Sequence, residues 1–232
     1  MGIGAHVGVV AVTAEGAALC YRTLCSEGGT HFGSSVHPEI TMHTLPWGEY
    51  LSEMKAGRWE EVGRMLLRSA SAVQAAGADF VICPDNTVHQ GLDLVRSESP
   101  LPWLHIAEEV AREAGRRGVR RVLLLGTRWL MEGPVYPPHF EREGIECRIP
   151  DPEERTLIDR TIFNELVQGR FEEQARGRFL KVIRRHERLG CTAVALSCTE
   201  IPLLIREEDS PIPTLDSTRI LARAALQRAA AE

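Results

Sequence analysis

Two stretches of the 232-residue chain end an apolar run on side chains that can move or hold protons. In "VICPDNTVHQ", Asp85, Asn86, Thr87 and His89 follow Val81, Ile82 and Cys83. In "AVALSCTEIPLL", Cys198, Thr199 and Glu200 close a run that begins at Ala193. A carboxylate and a thiol can each act as a proton acceptor or donor when their surroundings tune them, while Asn and Thr hydrogen-bond an anionic group without adding charge. Each residue also has a structural use. A Cys is often a small buried hydrophobe, but Cys198 stands at a strand end between Ser197 and the Thr199-Glu200 pair, where a helix N-terminus would favour thiolate. Asp85 and Asn86 taken alone read as turn or N-cap residues. Cys83 lies within the apolar run and reads as core, His89 as a residue of a first helical turn, and His105 as either structural or pocket-lining.

The two stretches echo each other, and this moves Asp85 towards chemistry. "AGADFVICPDNTVHQGL" and "LGCTAVALSCTEIPLL" share a small-residue turn, a buried strand, a polar cluster and a following helix. Asp85 and Cys198 occupy the same place in each copy, 113 residues apart, about half of the chain. That spacing suits duplication of a lobe.

The elements that must position these residues alternate. "HVGVVAV", "ADFVICP", "RRVLLLGT" and "CTAVALSC" are short β-rich runs, each followed by a turn and a longer amphipathic segment. The alternation predicts parallel sheets covered by helices. Helices are expected over 59–76, 106–117, about 152–166, 170–189 and 217–231, with Asp216 or Ser217 capping the last. "RSESPLPWLH" and "REEDSPIPTLDS" read as connectors, giving one lobe of residues 1–100 with 214–232 and a second of residues 101–213. In open parallel sheets ligands collect beyond the carboxyl ends of strands. Two facing lobes then set Asp85 and Cys198 on opposite walls of one cleft, with Thr13, just after the run "HVGVVAV", and Thr127, the last residue of "RRVLLLGT", as further substrate-binding candidates.

Composition narrows the function classes. A 44% hydrophobic content supports a sizeable core. The net charge of -5 and the scattered Lys and Arg leave no footprint for nucleic acid. No run approaches the ~20 apolar residues of a membrane span, and the first residues lack a charged export signal, so a cytoplasmic protein is expected. Six cysteines without a CxxC read as reduced thiols, and eight histidines without ligand spacing argue against a metal.

The chain resembles the aspartate/glutamate racemase superfamily, the cofactor-independent amino acid racemases. The resemblance runs through "EGAALCYR", "HPEI", "GRWEEVGRML", "ADFVICPDNTVH", "LPWLHIAE", "LLGTRWLMEGPVY", "GCTAVALSCTEIPLL" and "PTLDST". It implies an α/β fold of two Rossmann-like lobes with parallel sheets related by a pseudo-dyad, the active site in the cleft between them, no cofactor, a small amino acid or carboxylate substrate, and a homodimer. It also implies two proton-transfer groups flanking the α-carbon, one from each motif, with Asn and Thr holding the α-carboxylate as charge builds there. Carried over, Cys198 is one proton-transfer group, and Asn86, Thr87 and Thr199, with Glu200 beside them, line the carboxylate site.

This sequence departs from that pattern in two places. Asp85 stands where the first motif has its cysteine, and Cys83, two residues back, is ~6.5 Å away along a strand. Asp85 can serve as a base when ionised; to return a proton near pH 7 its pKa would need raising from ~3.9 by burial. The basic pair that relatives of acidic specificity carry for a distal carboxylate falls near Trp47 and Val167, both uncharged here, which leaves His43 or Arg22 as substitutes. Beside the racemase stand a single-cysteine decarboxylase, a weaker maleate isomerase-like reading, and a carboxylate-binding protein that lost its second base.

Overall fold

A parallel strand covered by helices on both faces reads as an unbroken apolar run, and the four runs picked out above are such strands. In the computed structural model, which describes residues 4–231, β1 (Val7–Ala11), β2 (Ile40–Thr44), β3 (Phe80–Ile82) and β4 (Trp103–Leu104) form one sheet in the order β2-β1-β3-β4. β5 (Arg121–Leu125), β6 (Glu146–Arg148), β7 (Ala193–Leu196) and β8 (Thr214–Asp216) form a second in the order β6-β5-β7-β8. Both sheets pair in parallel throughout. Both also place their third strand between the first and the fourth. The fold is therefore α/β with one strand order used twice.

The expected runs are β1, β3, β5 and β7, the two inner strands of each sheet. β1, β3 and β7 are buried at every position. The outer strands carry no such run because they are short or half-covered: β2 has no fully buried residue, β4 has two residues, and both ends of β6 are exposed.

The chain divides into two compact units. One runs through Ile106 and resumes at Thr218; the other is Ala107–Ser217. The crossings expected after residues 100 and 213 each precede an outer strand. β4 pairs with β3 and β8 with β7, so ladder hydrogen bonds carry those strands to the sheet already begun and move both crossings downstream.

In the first unit, Val7, Val9, Phe80 and Ile82 pack with Cys20 and Leu24 of the helix Ala14–Glu27 and with Leu221, Ala225 and Leu226 of the helix Ser217–Ala231. On the other face Gly8 admits the helix Trp59–Ala75, since a Cβ at Gly8 would lie 2.7 Å from Val73 Cγ2. That helix also receives His89–Val95, the helix after the Asp85 motif, at a glycine contact. A Cβ on Gly63 would fall 2.4 Å from the Gly91 carbonyl oxygen, and one on Gly91 would fall 2.5 Å from that of Trp59.

In the second unit, Leu123, Leu125, Val194 and Leu196 pack with Ile158 and Ile162 of Pro152–Asn164 and with Phe179, Val182 and Ile183 of Glu173–Arg188. The first of these helices starts on a capping box, Asp151 with Glu154, behind Pro152. The second starts three residues later than expected, because Gly169 takes a φ of 73° and ends a separate turn at Leu166–Gln168. Among the described residues no helix is long and apolar enough to cross a membrane.

Two glycine substitutions should have opposite signs. Gly91→Ala drives a methyl into backbone and should cost about 1–3 kcal/mol. Gly177→Ala, mid-helix with nothing within 4 Å of its added Cβ, should stabilise by about 0.5–1 kcal/mol. Urea unfolding of both variants checks the pair.

Candidate functional site

Both chemical stretches sit where an inner strand ends. In the first unit, β1 ends just before Thr13 and β3 just before Cys83-Pro84-Asp85. Because β1 and β3 are neighbours, Thr13 and Asp85 meet although 72 residues separate them: the Thr13 N–H donates to Asp85 Oδ2 at 3.1 Å and its hydroxyl to Oδ1 at 3.2 Å. Both donors are directed at negative charge, and the carboxylate is 8% exposed. Thr13, expected to bind substrate, thus holds the candidate base. Asn86 is buried and Thr87 half-buried beside it.

Beneath this strand end lies a layer that the sequence reading underestimated. His89 is fully buried, and its Nε2 is 3.1 Å from the Cys83 carbonyl oxygen. A carbonyl only accepts, so Nε2 carries the proton. The His89 ring meets that of His105 edge-on at 4.4 Å, and His105 Nε2 stands 3.2 Å from Asp93 Oδ1. His105 is therefore a packed structural residue, and His89 a support for the turn that carries Asp85. Cys83 is also core: burial, then the charge of Asp85, pushes its thiol well above the usual range. Tyr50 had no signal in the sequence beyond its apolar spacing. It is fully buried, and burial, reinforced by Cys83 and Asp85, pushes its hydroxyl upwards too.

In the second unit, Cys198-Thr199-Glu200 follows β7, with Thr127 beyond the neighbouring β5. The Ser197 N–H donates to the Leu125 carbonyl at 2.8 Å, extending the ladder by one step. Gly126 lets the two loops approach: a Cβ there would lie 2.9 Å from the Ser197 carbonyl oxygen. The Cys198 thiol donates to Glu200 Oε2 at 3.0 Å, and the Thr199 hydroxyl donates to the same oxygen at 2.8 Å. Glu200 is 1% exposed. The helix expected to favour thiolate is a single turn, Ile201–Leu204, with Glu200 as its N-cap, so the group in contact with sulfur is a carboxylate. The Thr127 hydroxyl oxygen accepts from the Leu130 N–H at 3.3 Å, capping the turn Arg128–Met131. Tyr136, another residue without a sequence signal, is fully buried, and burial pushes its hydroxyl upwards.

The structure turns both substitutes for a distal cation elsewhere. His43 Nδ1 is 3.0 Å from the Ser69 hydroxyl on Trp59–Ala75, and Arg22 lies on the exposed side of Ala14–Glu27. Val167 packs against the apolar core of the second unit.

Two parallel α/β sheets of one strand order, each ending its third strand on a polar cluster, define a two-sheet α/β protein with matching strand-end sites. A family model described as Asp/Glu/Hydantoin racemase matches residues 4–225, and the chain belongs to that family. It is similar to the broad specificity amino-acid racemase RacX of Bacillus subtilis (strain 168), 23% identical over 165 residues that make up 71% of this chain and 70% of that one. Among solved structures it is similar to a proposed Asp/Glu racemase from Yersinia pestis, at 30% identity and a TM-score of 0.87, covering 97% of this chain and 99% of that one. An aspartate racemase homologue from Pyrococcus horikoshii OT3 is likewise 30% identical, with a TM-score of 0.82 over 98% and 99% of the two chains. A Francisella tularensis glutamate racemase, solved with D-glutamate, shares the fold at 11% identity and a TM-score of 0.69, over 97% of this chain and 80% of that one.

The Thr13 contact predicts a pair of outcomes. Thr13→Val removes a hydroxyl donor to a buried carboxylate and should cost about 1.5–3 kcal/mol of stability. Thr13→Ser keeps the donor and should stay within about 1 kcal/mol of the native protein. Thermal and urea unfolding at pH 7 measure both.

Proposed function

We propose that this chain is a pyridoxal-phosphate-independent amino acid racemase in which Asp85 and Cys198 exchange protons with the α-carbon. The observation that carries the reading is the pairing of opposite hydrogen-bond surroundings at corresponding strand ends. A carboxylate held by two donors at Asp85 suits a base, and a sulfur that donates to Glu200 suits an acid. Membership of a racemase family supports it.

In this reading the Asp85 carboxylate removes the α-proton from one face, and the electron pair spreads into the substrate α-carboxylate. The Cys198 thiol then delivers its proton to the other face, leaving a thiolate and a protonated Asp85 that solvent resets. Asn86 and Thr87 hold the α-carboxylate and stabilise the charge that develops there. Thr199 joins them through its backbone N–H, because its hydroxyl is committed to Glu200. Uncharged Trp47 and Val167 favour substrates without a second carboxylate. The family resemblance supports a homodimer that works without a cofactor.

The test is uptake of solvent deuterium at the α-carbon, followed by proton NMR for both enantiomers of a panel of neutral and acidic amino acids. Exchange with inversion is expected for at least one. Release of carbon dioxide with one deuterium in the product would make the chain a decarboxylase, and no exchange across the panel would leave a binding protein. Cys198→Ala should abolish exchange while preserving the fold. Asp85→Asn should lower inversion by at least ~10²-fold, the scale of a general base. Asp85→Cys should restore measurable racemisation.

A further inference from the structure

The Cys198-Glu200 contact has a chemical consequence that the position of a strand end does not supply. Sulfur and Oε2 are 3.0 Å apart, and Glu200 is almost completely shielded from solvent. A thiolate and a carboxylate at that distance repel strongly where water cannot screen them. The pair is stable when one proton lies between the two atoms. Thr199 donates its hydroxyl to the same carboxylate oxygen, which favours the charge on Glu200 and the proton on sulfur. Other titratable groups stand further along the same layer. Asp216 closes β8 and pairs in register with Leu196, and Tyr136 lies behind Ser197. The fully buried phenol of Tyr136 stays neutral, because burial pushes its hydroxyl upwards.

We propose that Glu200 is a positioning residue that keeps Cys198 protonated between turnovers, making Cys198 the dedicated proton donor of the pair and leaving Asp85 as the resting base. Glu200 then does not hold substrate, the role its place in the motif first suggested. The inference rests on the racemase reading for the use made of the proton, but the state of the Cys198-Glu200 pair is a property of the free protein. In that cycle the thiolate formed when Cys198 protonates the α-carbon faces the Glu200 carboxylate. It is reprotonated from solvent promptly, so the hydrogen delivered to product is solvent-derived.

The test is the pH dependence of Cys198 alkylation by iodoacetamide in the full-length protein, followed at the Cys198 peptide by mass spectrometry so that other thiols do not contribute. Glu200→Gln keeps the size and an acceptor oxygen but removes the charge. It should raise the alkylation rate at pH 7 about tenfold and move the profile to lower pH. A profile that coincides with the native one, or moves to higher pH, overturns the proposal. Thr199→Val is the second arm and serves also if Glu200→Gln does not fold. Losing that donor weakens the preference for charge on Glu200 and lets the shared proton move towards the carboxylate, so alkylation at pH 7 should speed up by about threefold or more; unchanged or slower alkylation overturns the proposal. Neither readout uses racemisation. A failed deuterium exchange with the expected alkylation shifts would sink the racemase reading alone, and normal exchange with no shift would sink the role of Glu200 alone.

Discussion

A parallel strand buried on both faces can present polar chemistry only where it ends, and this constraint organises the whole molecule. β3 and β7 are apolar at every position; a charged or hydrogen-bonding side chain within either would lack water and partners. Once the ladder stops, backbone N–H groups become free to donate and side chains from the adjacent strand come within reach. Asp85 and Cys198 both follow the third strand of their sheet, beside the loop that follows the first. One strand order, used twice, thus yields two polar clusters of similar construction and different chemistry.

The chemical difference between the clusters comes from single contacts. Asp85 receives two donors from Thr13, a charge-assisted arrangement stronger than neutral hydrogen bonds. Cys198 faces an acceptor instead, a buried carboxylate that a second hydroxyl also satisfies. One site is therefore arranged around a negative charge and the other around a proton. In the proposed racemase reading, Asp85 in place of the first-motif cysteine does more than remove a thiol, because it separates the roles of base and acid that two like groups would share.

Support for these contacts comes from residues remote from any chemistry. Gly63 and Gly91 allow the helix after Asp85 to rest directly on its neighbour's backbone, and Gly126 does the same for the loop beside Cys198. His89 ties the Cys83 carbonyl, two positions before a candidate proton-transfer residue, and Tyr136 is fully buried in the second unit. Packed, fully buried rings of this kind hold a turn in one geometry better than flexible surface groups can.

What the sequence by itself determined is everything carried by local pattern: the inner strands β1, β3, β5 and β7, the long amphipathic helices, the two polar clusters and the repeat that relates them. These are legible because a doubly covered strand must be continuously apolar and because Asp85-Asn86-Thr87 and Cys198-Thr199-Glu200 are contiguous in the chain. The outer strands were not legible, since a half-covered strand of two to five residues needs no distinctive pattern. Nor were the crossing points, which depend on whether β4 and β8 hydrogen-bond backwards or forwards. Only the tertiary structure decided that Thr13 holds Asp85, that His43 is spent on Ser69, and that His89 lies buried under the motif. It also decided that Glu200 meets a thiol, because the direction of a side chain two positions away is set by the turn geometry after β7. Contacts between residues 72 positions apart follow from strand order, and strand order is fixed by the burial of whole faces, which no short stretch of sequence encodes.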